Sequence, residues 1–141
     1  MTTTTASIEQ ELLVQDRGSG VKSLTLNRPT KRNALNESLL KRLENAFTEI
    51  VFDEKVKCVI LRATGTVFSS GHDLTEMRVA DETKVKDIFE TCSRVMTMLA
   101  ELPQPTIGVV DGLATAAGLQ LLLSCDIVIA SERSAFATPG K

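Results

Sequence analysis

Polar and apolar positions trade places over short stretches at the start of the chain. Residues 11–15 and Val21–Leu26 each carry a strand-like pattern, and Asp16-Arg17-Gly18-Ser19-Gly20 between them is rich in turn formers, so a β-hairpin is predicted. Pro29 closes the second strand. The period then becomes helical: Leu39, Leu40, Leu43, Phe47 and Ile50 form a one-sided stripe over Glu37–Val51. Asn36 stands at the N-cap of that helix, and Glu37 and Lys41 form an i,i+4 pair in the favoured order.

Residues 56–63 contain the run Cys58-Val59-Ile60-Leu61, a pattern expected of a strand covered on both faces. A loop is expected over residues 64–72, with Gly65 and Gly71 as turn residues. Asp73-Leu74-Thr75-Glu76 reads as a helix cap with Glu76 in the reciprocal position. A longer helix over residues 81–102 buries Val85, Ile88, Phe89, Cys92, Val95, Met96, Leu99 and Leu102, and Pro103 and Pro105 stop it. A strand at 106–110, a small-residue segment at 112–118, a helix at 116–124 and strands at 126–130 and 136–138 complete the pattern. Strands alternating with helices predict an α/β class with parallel pairing, and no repeat of fixed period is visible.

The length of 141 residues suits one domain or part of a larger one. With 43% apolar and 24% charged residues, disorder along the whole chain is excluded as the default. Residues 1–7 are expected to be a disordered tail and residues 8–141 the domain. The net charge of −2 gives no support to a nucleic-acid partner. Cys58, Cys92 and Cys125 are too widely spaced for a disulfide framework or a clustered metal site and are expected to be buried free thiols. The lone histidine, His72, argues against a histidine-based metal centre, so no metal is expected. The start of the chain lacks the basic and apolar regions of a secretory signal, and no uncharged apolar run reaches the ~18 residues of a membrane span. An intracellular protein is expected, in the mitochondrial matrix or the bacterial cytoplasm.

Two segments carry candidate chemistry, Val67 to Leu74 and Asp111 to Gln120. Each follows a predicted strand and precedes a predicted helix. Gly71 leaves room for a ligand, and Ala114 to Gly118 have almost no side-chain bulk, so a ligand can reach main-chain N–H groups where helix donors are unpaired. Two such loops aimed at one point would form an oxyanion hole. The same small residues also serve close packing of helix on sheet.

Four markers in order make the chain resemble the crotonase, or enoyl-CoA hydratase, superfamily. They are Asn27-Arg28-Pro29 with Lys31-Arg32-Asn33-Ala34-Leu35, then Phe68-Ser69-Ser70-Gly71-His72-Asp73-Leu74, then Asp111-Gly112 through Gly118, then Ser124-Cys125-Asp126-Ile127. The resemblance implies a crotonase-like spiral of ββα units, with the C-terminal portion of the fold missing from this chain, and a CoA thioester as substrate or ligand. It implies oxyanion donors at the N–H of His72 and the N–H of Ala117. It places Arg32, Ala34, Ser70 and His72 where the family contacts CoA, and implies homotrimers or hexamers for full-length relatives. Lys31 and Arg32 can pair with phosphate, or simply form a solvated basic turn.

The departures bear on activity. The two glutamates that the family's hydratases use fall on Gln120, whose amide has no pKa suited to acid–base work, and on Gly140, which has no side chain. An acyl-CoA-binding protein of lipid metabolism without competent hydration is therefore the first expectation. An active crotonase of another reaction type, using His72 or another base, is the second. A non-catalytic structural or regulatory partner of crotonase oligomers is the third. Asp73 and Glu76 are expected to cap a helix, and Asp111 and Asp126 to be structural.

Overall fold

A computed structural model describes residues 10–138; the tail expected at 1–7 and Gly140 lie outside them. The hairpin forms as predicted: β1 (Leu12–Asp16) pairs antiparallel with β2 (Val21–Leu26). Helix α1 (Glu37–Val51) follows, with Asn36 Oδ1 accepting from the N–H of Leu39 at 2.8 Å. Strand β3 (Cys58–Ala63) leads into β4 (Val67–Ser69), α2 (Leu74–Val79) and α3 (Glu82–Ala100). Then come β5 (Thr106–Val110), β6 (Leu113–Thr115), α4 (Ala117–Leu123), β7 (Ile127–Ala130) and β8 (Ala135–Ala137).

The strands divide between two sheets, one in the order β1-β2-β3-β5-β7 and one in the order β4-β6-β8. Beyond the hairpin every pairing is parallel. From β3 onward each consecutive pair of strands therefore sends its first member to the larger sheet and its second to the smaller one. This is a repeat in space. It has no fixed period in sequence because the second unit inserts both α2 and α3 before the next strand begins, while the third has only the short α4.

Strands β4 and β6 lie inside segments that the residue pattern assigns to loops. Each has three residues, too few for an alternation to show. The double coverage expected of β3 is only partial. Val59 and Leu61 are fully buried, Cys58 and Ile60 are half-buried, and Arg62 is exposed. Cys58 is accordingly the one thiol of the three that is not buried. The side chains of β7 are exposed along Ile127–Ala130, and the strand, paired with β5, stands at the edge of its sheet. Helix α3 ends at Ala100, ahead of the prolines rather than at them.

The core lies between α1, α3 and the larger sheet. The helical stripe of α1 is buried throughout, with Phe47 at 0% exposure beside Leu24, Leu26 and Leu61 in one cluster. Glu37 and Lys41 pair as predicted, and Lys84 of α3 reaches the same carboxylate, joining the two helices at the surface.

Phe47 and Phe52 make a matched test of this core, since Phe52 is 82% exposed. Phe47→Ala is expected to cost about 3–5 kcal/mol in unfolding free energy, from lost burial plus a cavity. Phe52→Ala is expected to stay within about 0.5 kcal/mol. Urea denaturation followed by circular dichroism reads both.

Candidate functional site

The first loop runs from Ser69 to Asp73. Gly71 adopts φ 98°, and a Cβ there would lie 3.1 Å from Ala116 Cβ and 3.3 Å from Ala117 N. Only glycine lets the two turns come this close. On its other side the loop is stitched to residues 32–35. The N–H of Ser70 donates to Arg32 O at 3.1 Å, the N–H of Leu35 to Gly71 O at 2.7 Å, and the N–H of Asp73 to Leu35 O at 3.3 Å. Leu35 and His72 form a parallel bridge whose bonds come from the residues either side of His72. In such pairing the bridged residue's own N–H points away from its partner. Among the described residues the N–H of His72 meets no acceptor.

The second loop is the turn from β6 into α4. Ala116 takes φ 52° and ψ −129°, a left-handed shape that costs a residue with a Cβ on the order of 1–3 kcal/mol. Two bonds hold it there: the N–H of Ala116 donates to Ala137 O at 3.0 Å, and Thr115 Oγ1 donates to Ser70 O at 3.3 Å. The second of these ties one loop directly to the other. No side chain caps α4, and the N–H of Ala117 meets no acceptor among the described residues. Gly118 lets the helix start sit on β4, where an added Cβ would fall 2.4 Å from Ser69 O.

His72 and Ala117 line one cleft of about 680 Å³, together with the exposed Gln120 and with Thr138. The opposite wall is a face of α3 made of Phe89, Cys92, Ser93, Met96 and Thr97. Phe89 is half exposed and meets the His72 ring edge-on, with centroids 4.7 Å apart at 65°. It thus belongs to the cleft rather than to the buried stripe assigned from periodicity. Burial lowers the pKa of His72 below the ordinary histidine value, so its imidazole is neutral at neutral pH. Burial raises the Cys92 thiol to about 11 and that of Cys125 to about 12, so neither supplies a thiolate. No group of three or more metal-ligating side chains occurs among the described residues.

The other predicted positions fall nearby but not in this cleft. Arg32 is exposed, in a left-handed conformation at φ 53°. Ala34 is buried, and its carbonyl accepts from Arg28 Nη1 at 2.6 Å. Ser70, bonded to Arg32 through its N–H, bridges these residues to the loop of His72. Gly140 lies outside the described residues.

The profile of the enoyl-CoA hydratase/isomerase family matches residues 16–141. The chain belongs to this family. It is 43% identical over 133 residues to the rat protein named enoyl-CoA hydratase domain-containing protein 3, mitochondrial, a match that covers 94% of this chain and 44% of that one. The chain thus spans less than half the length of the relatives it matches. The crystal structure of human enoyl-CoA hydratase domain-containing protein 3 superposes with a TM-score of 0.83 at 41% identity, covering 93% of this chain and 52% of that one. A Mycobacterium smegmatis enoyl-CoA hydratase superposes with a TM-score of 0.89 at 43% identity, covering 92% and 51%. The alternation of strands between two sheets is the crotonase fold.

Two residues of the family segment 27–35 explain how the site is held, and neither role is visible from composition or periodicity. Asn33 is fully buried at φ 51°. Its Nδ2 donates to Thr64 O and Val67 O, both at 2.8 Å, and its Oδ1 accepts from the N–H of Arg28 at 2.7 Å. One amide thus fixes the segment before α1 against the turn into β4. Arg28 Nη2 donates to Asp73 Oδ2 at 3.1 Å, in a largely buried ion pair. Asp73 caps α2 as predicted, accepting from the N–H groups of Thr75 and Glu76. Glu76 does not complete a reciprocal box. The N–H of Asp73 is already bonded to Leu35 O, and Glu76 Oε1 accepts instead from the N–H of Glu37 at 2.9 Å, linking α2 to the start of α1. Asp126 is structural as expected, accepting from the N–H of Thr106 at 2.8 Å. Asp111 bonds Ser131 and Arg133 across to the next turn rather than within its own.

Burial acts to raise the Asp73 pKa, but the N–H of Glu76 and the Arg28 guanidinium outweigh it and hold the carboxyl below its ordinary value of 3.8. A depressed folded value means that the stabilisation is fully present above the unfolded pKa and lost as pH falls through the folded one. Asp73→Asn, which keeps the cap acceptor, is therefore expected to flatten the loss of stability below about pH 4. Urea midpoints of both proteins measured over the acid range check this.

Proposed function

We propose that this chain binds the thioester of an acyl-CoA, with the carbonyl oxygen received by the N–H groups of His72 and Ala117. One observation carries the reading: two main-chain donors from separate turns, each without an acceptor among the described residues, belong to loops joined by the Thr115–Ser70 bond and line one cleft. A carbonyl oxygen supplies the missing acceptor for both. Donors of this kind are worth about 2.7–4 kcal/mol each where negative charge develops on oxygen. The names of the relatives, enoyl-CoA hydratases among them, support the same ligand class. Arg32, Ala34 and Ser70 form the strip leading to the His72 loop along which the CoA moiety would lie, with the exposed Arg32 beside Lys31 available to phosphate. The compartment that fits is the mitochondrial matrix or the bacterial cytoplasm, since relatives come from both kinds of organism.

Hydration is not part of this reading. Adding water to a double bond needs groups that take and give protons, and each commonly contributes about 10²–10⁴ in rate. Gln120 supplies only an amide on this cleft. The activity assigned is therefore recognition and polarisation of a thioester carbonyl within acyl-CoA metabolism.

Isothermal calorimetry with butyryl-CoA and crotonyl-CoA tests the reading. Binding is expected in the micromolar to millimolar range, with no hydration of crotonyl-CoA. Gly118→Ala, which drives a Cβ against Ser69 O, is expected to push the start of α4 away and weaken binding at least tenfold. No heat at millimolar acyl-CoA rejects the reading. If acyl-CoA also leaves the melting temperature unchanged while the chain co-purifies with a full-length crotonase, a partner role takes its place; the exposed apolar side chains on the two edge strands, Ile127 and Ile129 of β7 and Phe136 of β8, favour that second reading.

A further inference from the structure

We infer that the His72 side chain is a second, independent ligand contact: a neutral imidazole whose Nε2–H donates into the cleft and selects acyl groups bearing an uncharged oxygen. The inference rests on the acyl-CoA reading above and deepens it. The argument begins with the other ring nitrogen. His72 Nδ1 is buried and meets no hydrogen-bond partner among the described residues. A buried N–H donor without an acceptor is among the rarest defects in folded proteins, whereas an unpaired acceptor lone pair is less costly. The neutral ring therefore carries its proton on Nε2. Nε2 is not among the buried unpartnered atoms, and no protein group bonds it among the described residues. It is the accessible nitrogen of a ring that lines the cleft, and Phe89 holds that ring edge-on. The same residue thus offers its main-chain N–H and its side-chain N–H to a single ligand.

This tautomer makes the imidazole a donor and a poor base. A base at Nε2 would need the proton on Nδ1, where no acceptor receives it, and full protonation would add a second unsatisfied buried N–H. The chemistry of the surroundings narrows the ligand further. Beside His72 the polar residues that line the cleft are Gln120, Ser93, Thr97 and Thr138, and the Thr97 hydroxyl donates to Ser93 O at 3.0 Å. Among the described residues that line it there is neither a carboxylate nor a lysine or arginine. A carboxylate on the acyl group would be desolvated without a cation to pair it. A plain alkyl chain would cover Nε2–H and leave it unbonded. A hydroxyl or oxo group satisfies it without charge.

The test is a ratio of affinities, measured by calorimetry on the whole chain with butyryl-CoA, 3-hydroxybutyryl-CoA, acetoacetyl-CoA and malonyl-CoA. The expected result is that the hydroxy and oxo esters bind about three- to tenfold more tightly than butyryl-CoA, the range of one neutral hydrogen bond, while malonyl-CoA gains nothing. His72→Phe, which keeps a flat ring and the main-chain N–H but has no ring donor, is expected to bring that ratio to about one. His72→Gln, which restores an N–H, is expected to recover part of it. A change in packing alone would shift all the esters together and leave the ratio intact. Butyryl-CoA binding with no preference in the parent chain, or a preference that survives His72→Phe, overturns the inference while the acyl-CoA reading stands. Failure of all the esters to bind overturns both.

Discussion

The arrangement of this chain depends on one close approach, that of the first turn of α4 to strand β4. Gly118 sits so near Ser69 that a single methyl group would collide with its carbonyl, and Gly71, at φ 98°, brings its turn into tight contact with Ala116 and Ala117. Two strand-to-helix turns separated by more than forty residues are thereby pressed against each other. The parallel pairing of β4 with β6 sets the spacing, and the missing Cβ atoms let the backbones close the gap. Main-chain amides can act as paired donors only if their separation is fixed by such packing, since no side-chain rotamer is available to adjust it. The strained φ of Ala116 belongs to the same constraint. It turns the chain sharply into α4, where the N–H of Ala117 meets no acceptor among the described residues, and bonds to Ala137 and between Thr115 and Ser70 hold it in place.

A second layer of fixed groups backs the first. Arg28, Asn33 and Asp73 join the segment before α1 to the His72 loop from behind, through bonds whose partners are mostly main chain. This matters because the loop of His72 is not part of a regular sheet. Beyond Ser69, which ends β4, the ladder contact it makes among the described residues is the bridge between His72 and Leu35. A buried asparagine with donors and acceptor all satisfied does here what strand pairing does elsewhere, and at a left-handed backbone position that suits asparagine better than most residues. Glu76 extends the same logic by bonding the start of α1, so that the first turns of two helices share one carboxylate contact.

How much of this is legible in sequence follows from the length of each signal. Helix α1, with five stripe positions and a cap, is predicted to the residue, and so are the hairpin strand β2 and the strand β5. Strands β4 and β6, of three residues each, merge with the turns around them and display no period of their own. The role of Glu76 is misassigned because the capping pattern is local, whereas the competing partners, Leu35 for the amide of Asp73 and Glu37 for the carboxylate, are brought in by tertiary packing. On α3, periodicity finds the apolar residues but cannot say which of two surfaces each one meets. Phe89 and Met96 are seven positions apart on the cleft side, while Ile88, Val95 and Leu99 face the core. The polar residues Ser93 and Thr97 interleaved with Phe89 and Met96 are the trace that distinguishes the two faces. The family was legible because its markers are the segments where close backbone approach at Gly71 and Gly118, and partly buried side-chain bonds of Arg28, Asn33, Asp73 and Asp126, impose the residue.

That last point bears on what the site can lose and still keep. An oxyanion hole of main-chain donors is insensitive to the side chains on its residues, provided the turn geometry survives. On the acyl-CoA reading proposed above, His72 and Ala117 would offer their main-chain N–H groups as well as smaller or larger residues would, while Gln120 presents the cleft with an amide of no useful charge. Recognition of a carbonyl and proton transfer beside it are thus separable properties, held by different atoms. On the reading proposed above, a chain that retains the glycines and the buried polar network but carries an amide at the cleft would keep the first without the second. The burial of the Nδ1 of His72 fits this division, because a ring denied a partner on its inner nitrogen is directed toward donating a hydrogen bond and away from accepting a proton.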